Sequence, residues 1–139
     1  MNDTKKEGYN IFIIDDDKFL LDMYSLKFNE SEFNVDTAFG SVEALEKLKG
    51  GYKPDIILLD IVMPTMDGFE LLQEVKGGGF AEGSVIIILS NLGQKEDIER
   101  GLKLGADGYI IKASSTPTEV VNKVLEISKA KIPPGGAVK

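Results

Sequence analysis

The stretch Asp55-Ile56-Ile57-Leu58-Leu59-Asp60, continued by Ile61-Val62-Met63-Pro64-Thr65-Met66-Asp67-Gly68, drives four apolar residues into a carboxylate and then into a turn-rich loop. A run so short, with β-branched residues at its start, reads as a strand buried on both faces rather than as a helix. Asp60 then stands at the carboxyl end of that strand, the edge at which open parallel sheets bind ligands.

Two similar runs, Ile11 to Ile14 and Val85 to Leu89, predict two more central strands. Weaker patterns in Phe33 to Phe39 and Gly108 to Ile111 alternate or are short, as edge strands are. Helical stretches lie between and after them: Lys18 to Phe28, Val42 to Lys49, Phe69 to Lys76, Lys95 to Leu104 and Pro117 to Lys131. This alternation predicts an α/β fold with right-handed crossovers: a doubly wound (βα)5, flavodoxin-like three-layer sandwich with parallel sheet order 2-1-3-4-5.

Local punctuation agrees with that division. Ser41 is expected to cap the second helix, while Gly50-Gly51 and Gly77-Gly78-Gly79 end the second and third. Thr116-Pro117-Thr118-Glu119 has the spacing of a capping box with proline at the first helical position. The expected organisation is one domain over 1–131, with 132–139, which include Pro133-Pro134-Gly135-Gly136, as a flexible tail or the start of a linker.

Composition narrows the chemistry. The 139 residues contain no histidine and no cysteine, which excludes imidazole bases, thiolate metal sites, disulfides and cysteine nucleophiles. Carboxylate, hydroxyl and lysine chemistry remains, and it suits a hard cation such as Mg²⁺. A net charge of −7 argues against non-specific binding to nucleic acid or to an anionic membrane, both of which need a basic face. No apolar run approaches a membrane span and no signal peptide is evident, so a cytoplasmic protein is expected.

With the strands so assigned, Asp15-Asp16-Asp17, Asp60, Ser90 and Lys112 all fall at one sheet edge. The first and third strands flank the point where strand order reverses, so Asp15, Asp16 and Asp60 should converge there. Taken singly, each residue has an ordinary explanation: an aspartate can cap a helix, Asp67-Gly68 can be a turn, Ser90 can cap a loop, and Lys112 can be a solvated edge charge. Three aspartates in a row exceed what one cap needs. Convergent carboxylates repel one another, and a divalent cation would remove that conflict.

These residues resemble the receiver domains of two-component response regulators. The resemblance is carried by Asp15-Asp16, Leu59-Asp60 with Met63-Pro64-x-Met66-Asp67-Gly68, Ser90, and Gly105-Ala106-Asp107-Gly108-Tyr109-Ile110-Ile111-Lys112, and it extends from about Asn10 to Lys129. It implies that Asp60 accepts a phosphoryl group from a phosphohistidine on a histidine kinase or a histidine phosphotransfer protein. It also implies Mg²⁺ bound directly by Asp16, Asp60 and the Val62 backbone carbonyl, with Asp15 acting through metal-bound water. By the same resemblance Lys112 and Ser90 hold the acyl phosphate, Ser90 and Tyr109 form the switch, and the protein is a monomer or a phosphorylation-dependent homodimer with an unspecified downstream protein target.

Departures from the family pattern carry expectations of their own. The family usually has proline, often after a cis bond, where this chain has Ala113, so a trans Lys112-Ala113 bond is predicted. Asn91 replaces a smaller residue and narrows access to the site. Val62 and Leu92 stand where the family tunes phosphoryl lifetime, and both are apolar. Two other readings compete: a Mg²⁺-dependent phosphohydrolase of haloacid dehalogenase type, using the Asp-x-Asp of Asp15 and Asp17 with Asp15 as nucleophile, and a degenerate receiver that only binds a partner.

Overall fold

In the computed structural model, which describes residues 8–132, the three apolar runs are the three inner strands of one parallel sheet. The strands are β1 (Asn10–Asp15), β2 (Asn34–Phe39), β3 (Ile56–Leu59), β4 (Val85–Ser90) and β5 (Gly108–Ile111), in the order β2-β1-β3-β4-β5. Helices α1 (Lys18–Glu30), α2 (Ser41–Lys49), α3 (Gly68–Gly77), α4 (Lys95–Lys103) and α5 (Pro117–Lys131) fill the crossovers and follow the last strand. The doubly wound order read from the sequence is therefore the observed one.

Side-chain alternation along the inner strands builds two cores. Phe12, Ile14, Ile57, Leu59, Ile86 and Ile88 face one layer, where they meet Leu45 and Leu48 of α2 and Phe69, Leu72 and Val75 of α3. Ile11, Ile13, Ile56, Leu58, Val85 and Ile87 face the other, against Leu21, Tyr24 and Phe28 of α1 and Val120, Val121 and Val124 of α5. Each fully buried isoleucine or leucine contributes roughly 1.5–3 kcal/mol, so continuous apolar runs belong at the centre of the sheet. The edge strands β2 and β5 are only partly covered, as their alternating sequences require.

Side-chain caps start α1, α3 and α5, whereas α2 and α4 begin without one. Asp17 caps α1 by accepting from the Leu20 amide at 3.2 Å, and capping boxes start α3 (Asp67 with Glu70) and α5 (Thr116 with Glu119). Ser41 does not cap α2. The helix starts after Gly40, whose φ of 94° suits glycine, and the Ser41 hydroxyl donates instead to the Met66 carbonyl at 2.5 Å. A tertiary acceptor took the hydroxyl that the local pattern assigned to the backbone.

α1 runs two residues beyond the expected Phe28, to Glu30, and Lys112–Ser114 forms a short 3-10 turn. Only Gly101 of α4 is buried, and a Cβ there would lie 2.6 Å from Ile88 and 3.2 Å from Tyr109, so glycine permits the approach of that helix. Ile132, the first residue of the expected tail over 132–139, packs against the core that α1 and α5 cover, and 133–139 lie outside the described residues. Among the described residues no helix is long and apolar enough to cross a membrane.

Candidate functional site

Strand register decides which polar side chains meet. Ile14 pairs with Leu59, and the Asp60 amide donates to the Ile14 carbonyl at 3.1 Å, which sets the end of β3 beside the end of β1. Carboxylate oxygens of Asp15, Asp16 and Asp60 lie within 4.8 Å of one another. Asp15 and Asp60 are buried, at 4% and 8% exposure, which is an expensive state for charged groups without a counter-charge.

Lys112 supplies part of that counter-charge. The turn after β5 carries its ammonium between the two buried carboxylates, 2.9 Å from Asp15 Oδ2 and 3.1 Å from Asp60 Oδ2. The contact with Asp15 is not part of the sequence reading, which assigns Lys112 to the acyl phosphate. Asp15 Oδ1 also accepts the Asp17 amide at 3.0 Å, and Asp60 Oδ1 accepts the Ile61 amide at 2.7 Å.

The electrostatics remain unbalanced. Burial pushes the Asp15 carboxyl above its ordinary 3.8, and the Asp60 charge adds to this, against the opposing pull of Lys112 and the Asp17 amide. Burial alone would depress Lys112, but its bond to Asp15 and the charges of Asp60 and Asp15 outweigh that and hold it above 10.5. Three carboxylates against one ammonium leave a surplus equal to the charge of one divalent cation. The all-oxygen donor set is that of a hard cation such as Mg²⁺, so the residues present fit it.

Ser90, fully buried at the end of β4, accepts the Leu92 amide at 3.2 Å through its hydroxyl. Tyr109 is half-buried, and its hydroxyl donates to the Leu92 carbonyl at 2.5 Å. Burial, with the charges of Asp97 and Asp60, pushes its phenol up to about 12 against the bond with Ser90. Val62 is 60% exposed and lines, with Leu92, an open cleft of about 300 Å³ between the loop after Asp60 and α4. Asn91 is exposed, and the Lys112-Ala113 bond is trans, as expected from the missing proline.

The phosphohydrolase alternative finds no support here. Its Asp-x-Asp pair would need both carboxylates directed at one substrate, yet Asp17 caps α1 while Asp15 is bound to Lys112. The second acid of that pair is thus turned to a helix end.

Residues 11–125 match the family described as response regulator receiver domain. The chain is 38% identical over 109 residues to a chemotaxis protein CheY of Halobacterium salinarum, covering 78% of this chain and 88% of that one. It is 32% identical over 117 residues to a probable transcriptional regulator, ycf29, of Porphyra purpurea, but there the match spans 84% of this chain and only 55% of the longer protein. Among solved structures, the receiver domain of the Francisella response regulator 1452 superposes with a TM-score of 0.79 at 31% identity, covering 88% of this chain and 98% of that one.

Proposed function

The chain belongs to the response regulator receiver domain family of two-component systems, whose members act with histidine kinases and downstream effectors, and on that premise we propose that Asp60 is its phosphoacceptor. The observation that carries this reading is the placement of the Asp60 carboxylate between a cluster of acidic oxygens and the Lys112 ammonium. Phosphoryl transfer asks mainly for alignment and charge neutralisation, and both are available at this sheet edge.

The donor is a phosphohistidine on a histidine kinase or a histidine phosphotransfer protein. An Asp60 carboxylate oxygen forms a bond to phosphorus as the phosphorus–nitrogen bond breaks, and the bonding pair stays on the departing imidazole. Asp16, Asp60 and the Val62 carbonyl hold Mg²⁺, which when bound supplies charge neutralisation to the nucleophile and the phosphoryl oxygens. Asp16 accepts no hydrogen bond from the described residues, which suits a direct ligand. Asp15, which accepts from the Asp17 amide and the Lys112 ammonium, acts through metal-bound water.

Lys112 keeps contact with the acceptor and stabilises the negative charge that builds on the phosphoryl oxygens. The Ser90 hydroxyl turns from the Leu92 amide to the acyl phosphate. Tyr109 then leaves the Leu92 carbonyl for a more buried position, reshaping the surface of α4 and β5 for a downstream protein.

Incubation with Mg²⁺ and acetyl phosphate, followed by mass spectrometry, tests the assignment. Acid-stable, base-labile phosphate should sit on Asp60 and be absent from Asp60→Asn. Label on Asp15 or multiple turnover would favour a phosphohydrolase, and no label a receiver that only binds partners.

A further inference from the structure

We propose that Ser41 is a positioning residue for the cation site, its buried hydroxyl bracketing the loop after Asp60 to the strand end that carries Asp15. The proposal rests on the reading that Asp15, Asp16, Asp60 and the Val62 carbonyl take Mg²⁺.

The loop from Ile61 to Asp67 is secured at its base. The Gly68 amide donates to the Ile61 carbonyl at 2.8 Å, and a Cβ on Gly68 would come within 2.2 Å of the Asp60 carbonyl oxygen, so the start of α3 closes tightly on the end of β3. The tip is held differently. Pro64 and Thr65 are exposed, and Thr65 has φ of 70°, a left-handed conformation that a β-branched side chain resists. Within the tip the Met66 amide bonds back to the Pro64 carbonyl at 2.7 Å.

Ser41 supplies a tie from outside. It is 1% exposed, and its hydroxyl donates to the Met66 carbonyl at 2.5 Å. Its neighbour Gly40 donates its amide to the Asp15 carbonyl at 3.0 Å. Two consecutive residues therefore connect the backbone behind Asp15 to the loop that carries Val62. Those are the two segments whose relative position must be kept for one cation to meet ligands from both. Removing the hydroxyl leaves every proposed ligand in place but frees the tip of the loop to drift, so the loss should fall on affinity for the cation.

A bland alternative is that the bond only adds stability. Ser84 provides the control, because its hydroxyl also ties two segments, donating to the Pro54 carbonyl at 2.6 Å, but at the start of β4 on the opposite sheet edge. Mg²⁺ binding to the parent, Ser41→Ala and Ser84→Ala should be measured by titration calorimetry without phosphodonor, alongside thermal unfolding. Ser41→Ala should raise the Mg²⁺ dissociation constant by about tenfold, as loss of outer-shell support does, with Ser84→Ala parent-like in binding despite a similar loss of stability. Ser41→Cys, which keeps the size of the side chain but offers only a weak S–H donor, serves if the alanine variant does not fold. Parent-like binding by the Ser41 variant, or equal weakening in both serine variants, overturns the proposal alone. A parent that binds no Mg²⁺ overturns the cation reading and the proposal with it.

Discussion

Lys112 Nζ stands 3.1 Å from Asp60 Oδ2, a contact that joins the turn after β5 to the end of β3 across 52 residues of chain. The cation assigned to the incoming phosphoryl group is therefore already engaged with the proposed nucleophile. It fixes the direction of the Asp60 carboxylate, so the group proposed to stabilise the transition state need not be recruited during the reaction. The same ammonium lies 2.9 Å from Asp15, which makes it the shared counter-ion of the pocket.

Replacing Lys112 by methionine should separate two quantities that usually move together. The rate of Asp60 phosphorylation from acetyl phosphate should fall by about 10²–10³, the cost of losing one preorganised donor. Affinity for Mg²⁺ should rise, because the pocket then holds the three carboxylates with no ammonium. Rapid-mixing kinetics at saturating Mg²⁺ and a calorimetric titration read the two effects. An unchanged phosphorylation rate would remove Lys112 from the reaction.

The Asp15 carboxyl, raised above 3.8 by burial, makes the metal-free protein sensitive to pH in a defined direction. Between 3.8 and the higher folded value the native state binds the proton more tightly than the unfolded chain, so stability is greatest below 3.8 and declines as pH rises through that window. Asp15→Asn should be more stable than the parent at neutral pH without Mg²⁺, with the advantage shrinking on acidification. Added Mg²⁺ should stabilise the parent more than the variant. Urea unfolding across acidic to neutral pH, with and without Mg²⁺, checks both parts.

Tyr109 gives the alkaline counterpart. Its phenol ionises near 12 in the fold against 10.0 ordinarily, so the stability it contributes is present below 10.0 and is lost as pH climbs toward 12. Tyr109→Phe should flatten the decline of stability over that range, leaving the shares due to Tyr52, which burial also raises to about 12, and to Tyr24, which burial raises too. Equal slopes for parent and variant would place the Tyr109 phenol in a more open setting than its bond to the Leu92 carbonyl implies.

Ser128 of α5 is fully buried, and its hydroxyl has no hydrogen-bond partner among the described residues. An unsatisfied buried polar group costs about 1–3 kcal/mol, and alanine removes it with little change of shape. Ser128→Ala should therefore raise the urea midpoint without altering Mg²⁺ binding or phosphorylation.

What could be read before the structure depended on whether the determining interactions were local. Ile56 to Leu59 declares a central strand because a strand covered on both faces must be apolar throughout, and Asp60 inherits its place from that strand. The convergence of Asp15, Asp16, Asp60 and Lys112 follows from topology once the strand order is known. Ser41 was misread because a serine at a helix start has a local default, while its actual acceptor is 25 residues away. The bond from Lys112 to Asp15 spans 97 residues and depends on how far a 3-10 turn carries the side chain, which no periodicity encodes.

Val62 and Leu92 line one cleft beside the acceptor, and neither side chain can orient an attacking water by hydrogen bonding. Hydrolysis of an acyl phosphate requires a water placed in line with phosphorus, so apolar walls should slow self-dephosphorylation. Val62 is 60% exposed, so an asparagine there stays within reach of solvent and can hold such a water at little structural cost. Leu92 is half-buried and packs against the core, so glutamate there must rotate outward to keep its charge hydrated. Val62→Asn should therefore shorten the lifetime of phospho-Asp60 on the order of tenfold, with Leu92→Glu acting in the same direction but with some loss of stability. Phosphate release from protein freed of donor measures the rate, and lifetimes equal to the parent in both variants would show that these two side chains do not control access of water.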